Sequence, residues 1–291
     1  MKNALLWNLG DDSVVTCNLC AHRCRVASGK RGVCKVRVND GGVLYTSTYG
    51  WLVAENIDPI EKKPLYHFLP STETYSIALP GCNFCCDFCQ NWSISQISEI
   101  PKLQETSPEK VVACALKYKC ESISFTYTEP TVYFEYALDT AKLACDAGLK
   151  NIFVSNGYMT PECLQMVAPY LHACNIDLKS FRDDFYKKLC GASLAPVLEN
   201  LKSIRAAGIW LEVTTLIVPG ENDSEQELAN IAGFIAKELG TDVPWHVSRF
   251  FPRYRMDNRS GYSPTEVSSV IRAAEIGHQA GLKYVYAGNI G

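Results

Sequence analysis

Short apolar runs alternate with amphipathic patterns from residue 75 to the end of the chain. Apolar runs of four to eight residues are typical of buried strands, whereas apolar positions spaced by three and four indicate helices. Strands are predicted at residues 75–79, 122–126, 151–154, 174–178, 210–218, 245–250 and 283–286. Helices are predicted between them at residues 108–118, 132–147, 161–170, 183–189, 195–207, 225–239 and 264–280. This repetition predicts an α/β fold, a partial (β/α)6 barrel with a parallel sheet inside and helices outside.

Residues 1–70 follow a different pattern. The first part is rich in cysteine, arginine and glycine, and Gly41-Gly42 predicts a turn between two short strands. Residues 58–68 contain two prolines and mixed charge, which is typical of a linker lying on a core. We therefore predict two units: a small N-terminal Cys-rich and β extension at 1–70, and the barrel at 71–291.

Composition narrows the class of protein. The chain has 291 residues, 14 cysteines and a formal net charge of −3, so bulk electrostatics do not favour a nucleic-acid partner. It has no apolar run of membrane-spanning length, and residues 1–10 lack the layout of a signal peptide. We expect a cytoplasmic protein without a membrane partner, in which clustered cysteines bind metal rather than form disulfides. So many free thiols also suit an anaerobic organism.

One cysteine-rich loop directly follows the first predicted barrel strand, with the sequence GCNFCCDFCQNW at residues 81–92. Cys82, Cys86 and Cys89 have the spacing C-x3-C-x2-C, and Phe88 precedes the last of them. Three thiolates suit a cubane iron–sulfur cluster that keeps one iron open to another ligand. Cys85 leaves an alternative, in which two CxxC pairs bind zinc, although these pairs abut without a linker. In either case the loop lies at the face where barrel enzymes place their sites.

Polar residues also follow the next predicted strands, where a barrel site would form. Glu129, Asn156, Asp177 and Lys179 come at or after strand ends, and His246 lies on the sixth strand. Each is a common loop cap when taken alone. Their recurrence at successive strands is the signal, because polar groups without partners are costly in a core. We expect these side chains to meet beyond the cysteine loop.

A second set of four thiols precedes the barrel: Cys17, Cys20, Cys24 and Cys34. A CxxC pair followed by two further cysteines suits tetrahedral zinc or an auxiliary iron–sulfur cluster. Unligated thiols on a basic arm are the third interpretation. Spacing alone leaves the three open. The remaining cysteines outside the two sets are expected to be small core residues: Cys114, Cys120, Cys145, Cys163, Cys174 and Cys190.

The C-x3-C-x2-C loop with its aromatic residue resembles the radical S-adenosylmethionine (SAM) superfamily. Over nearly the whole chain, the sequence resembles the radical SAM component of the AmmeMemoRadiSam system, which is itself similar to pyruvate formate-lyase activating enzymes. The stretches that carry this resemblance are Cys17–Cys34, DPIEKKPLYHF at 58–68, GCNFCCDFCQNWSISQ at 81–96, YTEPT at 127–131, residues 155–157, 177–179, 216–220 and 284–289.

The resemblance implies a partial TIM-type barrel that binds one [4Fe–4S] cluster and SAM. Cys82, Cys86 and Cys89 would ligate three irons of the cluster. The resemblance also implies which residues contact SAM. Phe88 would lie near the adenine, and Thr128, Glu129 and Pro130 would lie near the amino group. Asn156, Asp177 and Lys179 would contact the carboxylate and ribose, and His246 would contact the ribose or the substrate.

The resemblance also implies the chemistry. SAM would be cleaved reductively to methionine and a 5′-deoxyadenosyl radical, which abstracts hydrogen from an unidentified protein or small molecule. The electron would come from flavodoxin or ferredoxin, and Memo-type proteins would be partners. Two alternatives remain at this stage. One is a glycyl-radical enzyme activase, and the other is a metal-binding or electron-carrier protein without SAM chemistry.

Overall fold

The computed structural model describes residues 1–99, 103–257 and 261–290. Its strands are β1 (Lys2–Asn3), β2 (Trp7–Leu9), β3 (Val15–Cys17), β4 (Arg25–Val26), β5 (Arg37–Asp40), β6 (Val43–Thr46), β7 (Ala54–Pro59), β8 (Glu73–Ala78), β9 (Ser122–Phe125), β10 (Lys150–Ser155), β11 (Ala173–Asp177), β12 (Trp210–Ile217), β13 (Trp245–Arg249) and β14 (Val285–Gly288). Its α-helices are α1 (Trp92–Ser95), α2 (Pro108–Lys117), α3 (Phe134–Asp146), α4 (Pro161–Val167), α5 (Asp183–Phe185), α6 (Leu194–Ala206), α7 (Glu225–Phe234) and α8 (Val267–Gln279).

One large sheet forms the centre of the molecule, with the strand order β14-β13-β12-β11-β10-β9-β8-β7. From β8 to β14, each strand runs parallel to its neighbour. β8 and β9 are buried along almost their whole length, as expected of parallel strands covered on both faces. The predicted α/β partial barrel is therefore confirmed, and the seven predicted strands correspond to β8–β14.

Local capping explains where the outer helices begin. The hydroxyl of Ser107 accepts a hydrogen bond from the Lys110 amide at the start of α2, and Thr160 accepts one from Cys163 in α4. Ser224 caps α7 in the same way. These side chains satisfy amides that have no partner inside the helix, which fixes the helix start. Among the described residues, none of the helices is long and apolar enough to span a membrane.

The segment predicted as a linker contributes to the barrel instead. β7 ends at Pro59 and pairs antiparallel with β8, so part of residues 1–70 shares the barrel sheet. The chain then runs into the sheet interior, where Lys63 and Leu65 are fully buried. The amides of Tyr66 and His67 donate to the carboxylate of Glu212 on β12. A linker on the surface would leave these amides to water, whereas here they have buried partners.

The rest of the N-terminal region forms two small antiparallel sheets, β1-β6-β5 and β2-β3-β4. Gly41 and Gly42 connect β5 to β6, and both have positive φ, at 60° and 92°. A two-residue hairpin turn with positive φ at both positions favours glycine, which accounts for the predicted turn. This region packs on the barrel: Ala21 N donates to Tyr158 O, just beyond β10. The contact is next to the cysteine loop, since the Tyr158 ring packs on Phe84.

Candidate cofactor site

A cleft of about 550 Å³ opens at the carboxyl ends of the barrel strands. This volume lies within the ~300–1,000 Å³ range of small-molecule pockets. Nine of the predicted site residues line it: Cys82, Cys86, Phe88, Cys89, Thr128, Glu129, Asn156, Asp177 and Lys179. The structure therefore brings the cysteine loop and the polar strand ends to one place.

The cysteine loop is held by backbone hydrogen bonds to a π-helical segment, Tyr186–Cys190, which follows α5. The amide of Cys85 donates to the carbonyl of Cys190 at 2.9 Å, and the amide of Asp87 donates to Leu189 O at 2.9 Å. The thiol of Cys85 is exposed and lies 3.6 Å from the same Cys190 carbonyl. Cys85 therefore faces the π-helical segment, whereas Cys82, Cys86 and Cys89 face the cleft.

The loop and this segment approach each other closely at Gly191. Its φ is +66°, and a Cβ added there would overlap the Cys85 sulfur. Gly208 is a matched control, because its φ is +74° but a Cβ would meet nothing within 4 Å. We expect Gly208→Ala to cost about 1–2 kcal/mol from the left-handed backbone alone, and Gly191→Ala to cost about 0.5–1.5 kcal/mol more, because the exposed Cys85 thiol must rotate out of its present position. Urea unfolding of both variants measures the difference, and equal losses would contradict the packing argument.

The environments of the three cleft thiols differ. Burial raises the pKa values of Cys82 and Cys89. A hydrogen bond with Cys190 lowers the pKa of Cys86, and although burial opposes this, the Lys179 ammonium reinforces it. Cys86 is therefore the thiol that ionises most readily, and thiolates are the form that binds metals. Cys190, predicted only as a core residue, is thus in direct contact with the candidate ligand set.

The three thiols line the same cleft but do not surround one common metal position. Among the residues that the structure describes, no three Cys, His, Asp or Glu side chains are placed to hold one metal ion. Tetrahedral zinc needs its ligands gathered around one atom, at about 2.3 Å for each sulfur. A cubane instead binds each thiolate through a different iron, so its ligands surround a larger group. With Cys85 turned away, three thiols of the loop face the cleft, which is the number that a cubane with one open iron needs.

Glu129 joins the strand-end loops to one another. Its Oε1 accepts hydrogen bonds from the Thr131 amide and hydroxyl and from the Ser155 hydroxyl, and its Oε2 accepts one from the Asn156 amide at 2.8 Å. Burial raises the pKa of Glu129, although these donors oppose that shift. Glu129 lines the cleft, but its hydrogen bonds go to the loops after β9 and β10. It therefore fixes the positions of neighbouring groups.

Asn156 connects the same loop to the cysteines. Its Nδ2 donates to Asn83 Oδ1 at 2.8 Å and lies 3.8 Å from the Cys82 sulfur. Elsewhere in the cleft lining, Lys179 Nζ donates to Asp177 Oδ2 at 2.8 Å and lies 5.9 Å from the centre of the Phe88 ring. Burial alone would lower the pKa of Lys179, but Asp177 and Cys86 outweigh it and raise that pKa. The cleft thus presents a permanent cation beside a carboxylate and an aromatic ring.

Two of the residues predicted to contact the cofactor lie outside the cleft lining. His246 is buried outside the cleft lining, where its Nε2 pairs with Glu212 at 2.7 Å and its ring packs on Tyr66. Ser248, two residues further along β13, lines the cleft instead. Side chains two apart share a face of a strand but lie at different depths, so the alternation along β13 predicts the face of a side chain and not its depth. Pro130 is buried at the start of a 3₁₀ turn and is also absent from the lining.

The sequence interpretation missed one charged group that lines the cleft. Lys63 lines the cleft, donates to Asp58 Oδ2 at 2.6 Å and lies 4.6 Å from the centre of the Tyr127 ring. The Tyr127 hydroxyl donates to the same Asp58 carboxylate, and Tyr127 has a φ of +63°. Non-glycine residues in this conformation are uncommon and often occur at functional sites. A Lys-Lys pair following Asp58 was the available signal, but the burial of Lys63 depends on contacts distant in sequence.

Cys17, Cys20, Cys24 and Cys34, here called the arm cysteines, lie beside this site. They share a small cavity, the arm cavity, with His22 and Arg37. Cys17 and Cys20 are buried, and Cys24 and Cys34 are partly exposed. The cavity borders the cysteine loop, because His22 Nε2 donates to the Asn83 carbonyl at 2.7 Å. The structure thus brings all four predicted arm residues together.

A parallel, open α/β barrel with three loop thiols facing polar strand ends is the arrangement of a barrel enzyme that depends on a bound cofactor. Sequence comparison agrees with this class, since the model of the radical SAM superfamily matches residues 76–232. The chain belongs to the radical SAM superfamily, whose members use a [4Fe–4S] cluster and SAM.

Individual relatives refine this assignment. The chain is 45% identical over 292 residues to an uncharacterised protein of Methanocaldococcus jannaschii, covering 100% of this chain and 86% of that one. It is 22% identical over 179 residues to the pyruvate formate-lyase-activating enzyme of Clostridium pasteurianum, covering 57% of this chain and 72% of that one. A radical SAM methyltransferase from Sphaerobacter thermophilus has the same fold, with a TM-score of 0.58 at 13% identity, covering 77% of this chain and 68% of that one. The chain is thus a radical SAM protein related to activating enzymes.

Proposed function

We propose that this protein is a radical SAM enzyme in which Cys82, Cys86 and Cys89 hold the [4Fe–4S] cluster and leave one iron open to SAM. The observation that carries the proposal is the shared cleft, where these thiols face a lysine–carboxylate pair and an aromatic ring. When bound, the cluster and SAM supply a one-electron cleavage that yields methionine and a 5′-deoxyadenosyl radical. The protein contributes the binding and orientation of these groups.

Different lining residues suit different parts of SAM. Lys179 carries a fixed positive charge that suits the SAM carboxylate, and Asp177 suits a ribose hydroxyl or the amino group. Phe88 offers an apolar ring to the adenine. Glu129 holds the Asn156 loop against the cysteine loop, so its role is positioning. Thr128 is also fixed, because its hydroxyl donates to Leu79 O at 2.6 Å.

The role of Lys179 leads to a test of SAM binding. We expect Lys179→Met to weaken SAM binding by about ten-fold or more, because a hydrogen bond to a charged group contributes ~1.5–3 kcal/mol. Lys188→Met is the control, since Lys188 is an exposed lysine of the π-helical segment and does not line the cleft. Equilibrium binding of SAM to anaerobic protein gives both values. Equal affinity in the two variants would remove Lys179 from the SAM site.

We propose the AmmeMemoRadiSam system as the biological setting, with Memo-type partners and an unidentified protein or small molecule as substrate. The support is the sequence resemblance over the N-terminal cysteines, the 58–68 segment and the strand-end motifs. Flavodoxin or ferredoxin would supply the electron, and we expect a cytoplasmic location. The similarity to an activating enzyme favours a second candidate, a glycyl-radical activase that abstracts hydrogen from a glycine of its partner.

Release of 5′-deoxyadenosine tests the proposed reaction. Anaerobic protein given a reductant and SAM should form this product, and its absence from protein with a full iron complement would contradict the proposal. A partner protein carrying deuterated glycine separates the two candidates. Deuterium in the 5′-deoxyadenosine would support the activase, whereas product without deuterium supports a substrate of another kind.

A further inference from the structure

The arm cavity contains a buried donor without a partner. Among the described side chains, Arg37 Nε is buried and has no hydrogen-bond acceptor, and Arg37 is about 1% exposed. Arg37 lines the cavity, and its Nη1 donates to the Cys17 sulfur at 3.2 Å. Asn83, next to the cavity, hydrogen-bonds to the Cys20 thiol and so lowers the pKa of that thiol, against a larger opposing effect of burial. Buried donors almost always have acceptors, so Arg37 Nε points to an acceptor atom that the thiols alone do not provide.

The arrangement of the thiols indicates what that acceptor is. All four arm cysteines line one cavity, yet among the described residues they do not gather around a single ion position. The loop thiols Cys82, Cys86 and Cys89 share both properties. An iron–sulfur cluster binds each thiolate through its own iron, and its sulfides accept hydrogen bonds from the protein.

We propose that Cys17, Cys20, Cys24 and Cys34 ligate a second [4Fe–4S] cluster, which relays single electrons to the SAM-binding cluster. The relay rests on the proposed function of the cleft, whereas the second cluster does not. Four thiolates occupy all four irons, so this cluster has no open corner for a substrate. Arg37 and Asn83 donate to its sulfur atoms, and Arg37 offsets part of its negative charge.

A short path joins the two sets of thiols through a single residue. Asn83 contacts Cys20 on one side, and its Oδ1 lies 3.9 Å from the Cys82 sulfur on the other. The hydrogen bond from His22 to the Asn83 carbonyl holds the arm against the loop. Asn156 donates to Asn83 Oδ1 and also approaches Cys82. One side chain therefore separates the proposed relay from the SAM site.

Electrons can enter from the outer side of the arm. Cys24 and Cys34 are partly exposed, and Arg25 and Lys30 are exposed nearby in sequence. No acidic residue occurs between residues 13 and 39. Such a surface attracts an acidic one-electron donor of the flavodoxin or ferredoxin class. With both clusters bound, one electron from the reduced donor would pass through the second cluster to the SAM-binding cluster and be consumed in breaking the sulfur–carbon bond of SAM. The second cluster would then return to its oxidised state.

Metal content tests the second cluster directly. Anaerobically prepared wild-type protein should contain about eight iron atoms per chain, four for each cluster, without stoichiometric zinc. The double variant Cys24→Ser/Cys34→Ser should retain about four iron atoms, and Cys86→Ala should lose the other four. Cys114→Ser, which removes a partly exposed thiol outside both sets, is the control and should match the wild type. About four iron atoms with one zinc in the wild type, or no metal in the arm, would overturn the proposal.

Electron delivery tests the relay. With dithionite, the Cys24→Ser/Cys34→Ser variant should still release 5′-deoxyadenosine, whereas with reduced flavodoxin its rate should fall to the level seen without donor. Undiminished flavodoxin-driven turnover would overturn the relay. If the variant does not fold, wild-type EPR decides: two reduced-cluster signals, only one of which changes with SAM, support the second cluster, and a single signal contradicts it. Failure of the wild type to cleave SAM, with all eight iron atoms present, would refute the cleft function and leave the second cluster standing.

Discussion

Cys86→Ala is expected to abolish SAM cleavage, whereas the neighbouring Cys85→Ala is expected to leave it intact. Cys86 faces the cleft with a lowered pKa, caused first by its hydrogen bond with Cys190, and so offers a thiolate to the cluster. Cys85 is exposed and turned toward the Cys190 carbonyl. Losing a residue that only orients a metal ligand typically costs about 10–100-fold. Loss of a ligand itself should therefore reduce activity by about 100-fold or more.

The two adjacent substitutions control for each other. Both remove one sulfur from the same loop, so a general disturbance of the loop would affect them alike. The measurements are the SAM-dependent change in the EPR spectrum of the reduced protein and the rate of 5′-deoxyadenosine release. A silent Cys85→Ala protein together with an active Cys86→Ala protein would reverse the ligand assignment. Equal loss in both would indicate that the loop tolerates no change, and Cys85→Ser would then replace Cys85→Ala.

Much of the site follows from the sequence because parallel strands end at one edge of a sheet. The apolar runs predict where the strands lie along the chain, and the polar residues that follow them should therefore lie together at the carboxyl-terminal edge of the sheet. Asn156, Asp177 and Lys179 therefore line the cleft as predicted. The same argument cannot give depth along a strand. His246, which the sequence predicts near the cofactor, is buried against Glu212 outside the cleft lining.

Other features depend on contacts that no local pattern contains. β7 includes Asp58 and Pro59, residues that are rare in central strands, so the sequence pattern predicts a linker there. It forms because an antiparallel strand at the sheet edge tolerates such residues, and because Asp58 pairs with the buried Lys63. The orientation of Cys85 could not be predicted from the sequence either, since it depends on hydrogen bonds to a segment about 100 residues away. Long-range backbone pairing, rather than spacing, sets Cys85 apart from the three thiols that face the cleft.

A buried ion pair fastens the N-terminal arm to the barrel, and breaking it should have the largest effect on stability. Arg37 on β5 pairs with Glu135 on α3, and each side chain is only 1% exposed. Removing one partner of such a pair leaves an uncompensated buried charge and typically costs about 3–5 kcal/mol. We therefore expect Arg37→Met and Glu135→Gln each to lower the free energy of unfolding by about that amount. Denaturant unfolding of anaerobic protein measures it.

The double variant tests whether the pair or its separate contacts provide this stability. Arg37→Met/Glu135→Gln leaves neither charge buried alone, so its loss should be smaller than the sum of the two single losses. Part of the loss should persist, because Arg37 also donates to Leu5 O and to the Cys17 sulfur. Arg272→Met is the surface control: its ion pairs with Glu225 and Glu275 are exposed and should contribute at most about 1 kcal/mol. Additive losses in the double variant would mean that the two charges act independently, and the arm would then be held by its apolar contacts and backbone hydrogen bonds.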